Sequence, residues 1–171
     1  LHISFPGFTN CTLCGNSAVQ SGGGMYLYNS APIFANCTIC ANSASDHGGG
    51  MLVHSSSPTL ESTIIAFSPE GEGIFCDSGV ATLACCDVYG NAGGDYVGPI
   101  AGMLSVDGNI CEDPLFCNAP DELTIYNISA CAPEHSGACG LIGAWPVGCT
   151  VTAVDEGTFD TTWGAIKAMY R

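Results

Sequence analysis

The sequence predicts an all-β fold, a right-handed parallel β-helix of about five coils, on three observations. The first is a 26-residue repeat: residues 9–33 read TNCTLCGNSAVQSGGGMYLYNSAPI and residues 35–59 read ANCTICANSASDHGGGMLVHSSSPT. The second is a set of short alternating apolar runs separated by turn residues, and the third is the lack of helical periodicity before the C-terminal end. A fixed period of this size indicates a solenoid, in which each unit buries its apolar face on the next.

Each repeat unit contains three short strand candidates. The first is Asn36–Ile39, where we expect Cys37 and Ile39 to point inward and Asn36 and Thr38 outward. The second is Met51–His54, after three glycines, and the third begins near Thr59. A propeller blade needs a longer repeat, and a helical solenoid would not tolerate a glycine triplet in every unit.

Weaker copies of the repeat follow along the chain. Ser62–Ile65 aligns with Asn36–Ile39, and Cys85–Asn91 aligns with Asn36–Asn42 after a shorter step of 23 residues. Leu1–Ile3 aligns with Leu27–Asn29, so we expect the chain to begin within a coil, as a processed product or with further coils before it. We therefore divide the chain into a parallel β-helix, 1–149, and a linker with a C-terminal tail, 150–171.

The motifs NCTI, GGGM, GNICEDPLFCN and LTIYNISACAP resemble the secreted bacterial right-handed parallel β-helix repeat proteins. Those proteins are related to pectin-lyase-like and polymorphic outer-membrane-protein coils. The resemblance spans about residues 5–149, and 162–171 resembles a C-terminal tail found on some of these secreted proteins. It implies the fold and a closing region near Asp113–Phe116 and Cys139–Ala144, but no particular activity, because this scaffold has many functions.

Twelve cysteines indicate an oxidising compartment and therefore a secreted or cell-surface protein. The repeat places Cys11 over Cys37 and Cys14 over Cys40 at the spacing of adjacent strands, which suits disulfides or stacked thiols. A zinc site formed by these four residues is the alternative. Further local bridges are expected in the closing region, between the pairs Cys111/Cys117 and Cys131/Cys139.

The chain is strongly acidic, with a formal net charge of −14. Its two basic residues, Lys167 and Arg171, lie in the tail. This balance excludes nucleic acid and anionic membranes as partners, and no transmembrane stretch is present. It also argues against a lyase, since pectate-type lyases on this fold use Arg or Lys on a uronic-acid substrate.

The acidic residues do not form a recognisable catalytic pair. A glycosidase needs two carboxylates on one face, and the candidates do not cluster in sequence: Asp77, Asp87, Asp95, Glu112 and Asp113. We expect no cofactor, although the acidic loops 70–73 and 93–95 could bind calcium. The four histidines have no i, i+4 pair and no spacing typical of metal ligands, and they are expected to lie scattered on the surface.

Asparagines have two expected roles. Asn16 and Asn42 recur at one corner of successive coils and are expected to form an amide ladder. N-glycosylation motifs begin at Asn10, Asn36 and Asn127, which we expect to point outward.

These observations predict a non-catalytic extracellular structural protein that assembles head to tail into a fibre or surface layer. The tail carries apolar anchors and the two cations, and it is the expected subunit interface: Trp163, Ile166, Lys167, Met169, Tyr170 and Arg171. The alternative for the tail is a sorting or anchoring signal that folds back on the last coil of its own subunit. For the whole protein, the alternative is a carbohydrate-active or sugar-binding β-helix protein with glycosidase-like activity. For that alternative the aromatic candidates are Tyr26, Tyr28, Tyr89 and Tyr96.

Overall fold

The computed structural model of the protein describes residues 6–151, so the tail lies outside the described residues. In this part almost all regular structure is short β-strand. The strands are β1 (Gly7–Thr9), β2 (Thr12–Cys14), β3 (Ser17–Ala18), β4 (Met25–Tyr28), β5 (Ile33–Ala35), β6 (Thr38–Cys40), β7 (Ser43–Ala44), β8 (Met51–His54), β9 (Thr59–Glu61), β10 (Ile64–Ala66), β11 (Ile74–Cys76), β12 (Thr82–Ala84), β13 (Asp87–Tyr89), β14 (Phe116–Asn118), β15 (Glu122–Tyr126) and β16 (Val147–Cys149).

The strands stack in parallel as a β-solenoid of about six turns, which confirms the predicted fold class and roughly the predicted coil count. The first sheet has the order β1-β5-β9-β12, the second β2-β6-β10-β13, and the third β4-β8-β11. In the second sheet, Ile65 pairs with Ile39 on one side and Val88 on the other, as the sequence alignment predicts. The repeat therefore sets the pairing register, including the shorter later coils.

An apolar core fills the inside of the solenoid. Phe34, Leu60 and Leu83 follow one another on the first sheet and are buried, and Phe8 stacks on Phe34 with ring centroids 4.9 Å apart. Cys37 is also buried in this core. Alternation along each strand thus places every second side chain inside, as expected for half-buried strands.

The glycine triplets let neighbouring coils approach closely. Gly48 has φ +64°, a backbone conformation that glycine adopts without steric cost. A Cβ on Gly24 would lie 2.5 Å from the Gly50 oxygen and 2.9 Å from Asn42 Nδ2. A side chain at Gly24 would therefore push apart the first two coils.

The predicted amide ladder is confirmed. Asn16 Nδ2 donates to Asn42 Oδ1 at 3.0 Å, and Asn42 Nδ2 donates to the Leu13 carbonyl at 2.9 Å. Two coils later Asn91 Nδ2 donates to the Ile65 carbonyl at 3.1 Å. Ser68 stands between these asparagines, and its buried Oγ has no hydrogen-bond partner among the described residues.

A short 3-10 helix, Gly98–Met103, closes one end of the core. Its Ile100 is fully buried against the inner cluster. The preceding Tyr96 hydroxyl donates to the carbonyls of Ile110 and Cys86 at 2.9 and 3.2 Å. Tyr96 therefore fixes this closing segment instead of forming an aromatic binding surface.

Residues 111–149, here called the cover, pack along the outside of the second sheet. The cover contains the antiparallel pair β14–β15 and the parallel pair β15–β16. Apolar cover residues such as Phe116, Ile125 and Ile142 form a second core with the outward-facing Ile64 and Cys40. The second sheet is consequently buried on both faces, unlike the one-sided burial predicted from its sequence.

The cover runs back towards the first coil. Gly143 N donates to Ser62 O at 2.8 Å, Ala144 N to Thr38 Oγ1 at 3.0 Å, and Trp145 Nε1 to Thr12 Oγ1 at 2.9 Å. Thr38 points outward as predicted but is buried beneath this segment. The region expected to close the end of the solenoid therefore covers its side.

Candidate functional site

The third sheet presents the best candidate for a functional surface. Its outward side chains form two rows across three coils, here called the lateral aromatic face: Tyr26, Leu52 and Phe75 in one row, and Tyr28, His54 and Asp77 in the other. Tyr26 and Tyr28 are 53% and 59% exposed. These two tyrosines are thus open to solvent, as the sugar-binding alternative requires.

Stacking between coils orders the aromatic rings of this face. His54 stacks on Tyr28 with ring centroids 5.4 Å apart and an interplanar angle of 10°. Because these rings stack on neighbours in adjacent coils, the edge and hydroxyl of Tyr28 are more open than the face it shares with His54. A ligand would therefore meet a row of ring edges with hydroxyl and carboxylate groups between them.

Two of the surface histidines have carboxylate partners, which the sequence did not indicate. His54 Nδ1 forms a short hydrogen bond with Asp77 Oδ2, and His47 Nδ1 lies 3.3 Å from Glu72 Oε1. His47 also stacks on Phe75, with centroids 4.0 Å apart. Each partner lies one coil away, and the later coils are shorter than the repeat, which explains why no simple sequence spacing indicates these pairs.

The other carboxylate candidates gather around Asp87, away from the lateral aromatic face. Asp87 accepts hydrogen bonds from Glu112 N at 3.1 Å and Cys131 Sγ at 3.2 Å. Burial, together with the nearby charges of Asp113 and Asp95, raises the pKa of Asp87 to about 7. Asp87 is fully buried between the second sheet and the cover, so it serves their packing and offers no open surface to a substrate.

The acidic residues at the start of the cover form a turn. Asp113 Oδ1 accepts a hydrogen bond from Leu115 N at 3.0 Å, so Glu112-Asp113-Pro114 shapes a turn. Asp95 Oδ1 accepts hydrogen bonds from both the backbone and the side chain of Asn91. These two carboxylates therefore stabilise the local backbone by accepting hydrogen bonds from neighbouring residues.

The paired Cys-x-x-Cys motifs separate onto opposite faces of the second sheet. Cys11 and Cys37 belong to the inner core, whereas Cys14 and Cys40 belong to the outer core beneath the cover. The four sulfur atoms cannot converge on one zinc ion from opposite faces. Within residues 6–151, no group of three or more His, Cys, Asp or Glu side chains is placed to bind a metal.

The disulfides of the closing region differ from the predicted local pairs. Cys117 is bonded to Cys149 and Cys139 to Cys85, while Cys111 and Cys131 are free thiols. The predicted disulfides Cys111–Cys117 and Cys131–Cys139 are therefore wrong. Sequence proximity misleads here because the cover folds back over the solenoid, and Cys139 reaches a cysteine of an earlier coil.

In the acidic loop 70–73, one of the two loops that were considered for calcium, carboxylate oxygens accept hydrogen bonds from other residues of the protein. Glu72 Oε2 accepts a hydrogen bond from Gly48 N at 2.9 Å, and Glu70 Oε2 accepts one from Ser43 Oγ at 3.1 Å. Both bonds link the loop 70–73 to the preceding coil. Calcium binding by these loops stays a prediction from the sequence.

The three glycosylation motifs differ in accessibility. Asn10 is exposed at a corner of the first coil. Asn36 Nδ2 instead donates to the Leu141 carbonyl at 3.0 Å, and Asn127 Oδ1 accepts from Val151 N at 2.7 Å. Asn36 thus points outward as predicted, but a glycan on it would break its contact with the cover, so Asn10 is the most accessible of the three sites.

Several predicted residues lie elsewhere. Tyr89 packs edge-on against Phe67 with centroids 5.8 Å apart, so it is not part of the lateral aromatic face. The predicted interface residues lie outside the described residues: Trp163, Ile166, Lys167, Met169, Tyr170 and Arg171. The helices found among residues 6–151 are short 3-10 segments that fall below the length and apolarity needed to span a bilayer.

We compared the chain with known protein families, curated proteins and solved structures. No protein-family model, no curated protein and no solved structure matches the chain.

Proposed function

We propose that this protein is a non-catalytic extracellular structural protein whose subunits join head to tail. In this proposal the C-terminal tail of one subunit docks on the first coil of the next. The edge that this coil presents among the described residues, 6–151, is the observation that supports the proposal. Repetition of the contact would build a fibre or a layer, because a heterologous contact that does not close continues indefinitely.

The first coil has the features of a docking edge. Strands β1, β2 and β4 each stand at the end of their sheet, with one strand neighbour among the described residues. Their inward residues Phe8, Leu13 and Met25 pack against the core but are only partly buried. Unpaired backbone groups beside an apolar surface favour the addition of another strand.

The tail has matching chemistry. Trp163, Ile166 and Tyr170 supply apolar anchors, and Lys167 and Arg171 supply positive charge. The body, 1–149, contains 13 of the 16 acidic residues, and residues 161–171 contain both cations and no acidic residue, so each subunit body repels another body but attracts the end of a tail. This charge pattern favours contact between tail and body.

Among the described residues, the carboxylate candidates Asp77 and Asp87 do not share one open face, which supports a non-catalytic role. Asp77 is the carboxylate candidate on the lateral aromatic face, whereas Asp87 is buried beneath the cover. The two disulfides are compatible with an extracellular location. Both features are compatible with a non-catalytic extracellular structural protein.

Truncation tests this function. We expect the chain lacking residues 152–171 to sediment as monomers, while the full chain sediments as larger species and forms particles or fibres in negative-stain images. Leu13→Lys should also prevent assembly, because it puts a charge at the inward edge of the first coil. The matched control is Val19→Lys, on the same coil but at a side chain that is 89% exposed. Unchanged assembly of the truncated chain would contradict the proposal.

The lateral aromatic face favours a second candidate function, the binding of a neutral polysaccharide. Its support is the pair of exposed tyrosines beside His54 and Asp77, which offer apolar ring edges and hydrogen-bonding groups together. The net charge of −14 would repel an anionic polymer.

Affinity electrophoresis in gels containing neutral glucans or xylans tests this candidate. Retardation of the wild type that is lost with Tyr26→Ala/Tyr28→Ala but kept with Val80→Ala would support it. Val80 is 53% exposed and lies outside the lateral aromatic face. Equal mobility of all three proteins with and without polymer would contradict it.

A further inference from the structure

Two sulfur atoms meet on the outer face of the second sheet. Cys14 and Cys40 occupy paired positions of β2 and β6, and their Sγ atoms are 2.9 Å apart. Both residues are free thiols, with Cys40 2% exposed and Cys14 partly exposed. Two thiols in this arrangement need little movement to become bonded.

The equivalent pair on the inner face is also adjacent, since burial and the neighbouring Cys11 raise the pKa of the Cys37 thiol, but its thiols are bonded to backbone carbonyls. The Cys11 thiol donates to the Thr9 carbonyl at 3.4 Å, and the Cys37 thiol donates to the carbonyls of Ala35 and Phe8 at 3.4 and 3.5 Å. These thiols therefore serve as hydrogen-bond donors at a corner of the inner core. The Cys40 thiol is directed at Cys14 instead.

We propose that Cys14 and Cys40 form a third disulfide, which joins the first coil to the second beneath the cover. Adjacent strands lie about 4.8 Å apart, within the range of about 4.4–6.8 Å that disulfide Cα atoms occupy. The sulfur atoms need to approach by about 0.9 Å to reach the usual bond length of about 2.05 Å. Rotation of the two side chains supplies this movement without a change in strand register.

The oxidant is a small-molecule disulfide such as oxidised glutathione. The Cys14 thiolate attacks one sulfur of the oxidant, forming a mixed disulfide and releasing one thiol. The Cys40 sulfur, after losing its proton, then attacks Cys14 Sγ and releases the second thiol. Two protein thiols are oxidised and one oxidant disulfide is reduced to two thiols. Burial and the neighbouring Cys14 raise the pKa of the Cys40 thiol, so Cys14 reacts first.

The third disulfide would restrain the N-terminal coils, which the two existing disulfides do not link to each other. In the described residues, the disulfides join Cys85 to Cys139 and Cys117 to Cys149. Residues 6–84 therefore carry no disulfide in the structure, although they include the partly exposed first coil. A bond between Cys14 and Cys40 closes a loop across the repeat and restrains that coil.

Mass spectrometry of the full chain tests this inference. The protein is incubated with oxidised glutathione, denatured in N-ethylmaleimide and digested with pepsin at low pH, since its only Lys and Arg residues, Lys167 and Arg171, give trypsin no cleavage site between the cysteines. We expect a peptide linked through Cys14 and Cys40, and six alkylated cysteines in place of the eight that are free in the structure. Cys11→Ser should keep the linked peptide, whereas Cys14→Ser should lose it.

Thermal unfolding provides a second readout. After oxidation, the wild type and Cys11→Ser should unfold several degrees above Cys14→Ser, and reduction of the linked pair should remove that difference. Alkylation of all eight cysteines after oxidation would overturn the proposal. So would glutathione retained on Cys14 with Cys40 alkylated, because it would show that the second exchange step does not occur.

Discussion

Replacing Asp87 with Asn should remove a pH dependence from the stability of the fold. Asp87 is fully buried beneath the cover and accepts hydrogen bonds from Glu112 N and Cys131 Sγ. Its pKa is raised from 3.8 to about 7 by burial and by neighbouring Asp113 and Asp95. Because the folded-state pKa is above the unfolded value, the protonated carboxyl is the form that favours folding.

The expected size follows from that shift. Protonated Asp87 makes its full contribution to the free energy of unfolding below pH about 3.8. This contribution declines as the pH rises and is lost above pH about 7. A shift of about three units corresponds to roughly 4 kcal/mol at about 1.36 kcal/mol per unit. Asn does not titrate, and its Oδ1 can still accept from Glu112 N. The free energy of unfolding of Asp87→Asn, relative to that of the wild type, should therefore rise by roughly this amount between pH 4 and pH 8.

Urea unfolding at pH 4, 6 and 8 measures this difference in a Trp163→Phe background, so that the fluorescence comes from Trp145 and reports on the cover. Using the difference between variant and wild type cancels the titration of the other carboxylates. Asp107→Asn is the matched control, because Asp107 is exposed and its replacement should leave the pH dependence unchanged. Parallel stability curves for Asp87→Asn and the wild type would refute the reasoning about the buried carboxyl.

Three further substitutions test the packing. Asn42→Ala should lower the free energy of unfolding by about 2–3 kcal/mol in urea titrations, because it leaves the Leu13 carbonyl without its donor. Gly24→Ala should reduce thermal stability strongly, whereas Gly7→Ala should not, since a Cβ on Gly7 meets nothing within 4 Å. Thr38→Val should cost about 1–2 kcal/mol and speed hydrogen exchange in residues 141–145, because Ala144 N loses its acceptor.

The repeat made the solenoid predictable, because each coil copies the chemistry of its neighbour. The pairing of Leu13, Ile39 and Ile65 and the contact of Asn16 with Asn42 both follow from aligning repeats. Stacked coils place equivalent residues one strand apart, so local sequence spacing is converted directly into contacts. The fold class and much of the inner core therefore followed from the sequence.

The cover could not be predicted in the same way, because its contacts join distant residues without a repeat. Trp145 meets Thr12 across 133 positions, and Asn36 meets Leu141 across 105. The same long-range packing brings Cys139 to Cys85 and buries Asp87. The lateral aromatic face was only partly predictable: Tyr26 and Tyr28 were recognised as candidates, but the contact of His54 with Asp77 depends on the shortened coil.

Hydrogen exchange tests the central claim, that the first described coil docks the tail of a neighbouring subunit, most directly. Amide exchange is compared between the assembled full chain and the chain lacking residues 152–171, with peptides covering β1, β2 and β4 and with β9 and β10 as internal controls. The proposal predicts slower exchange in the first-coil peptides of the full chain and equal exchange in the control strands. Equal protection of β1, β2 and β4 in both proteins would contradict docking of the tail at this edge.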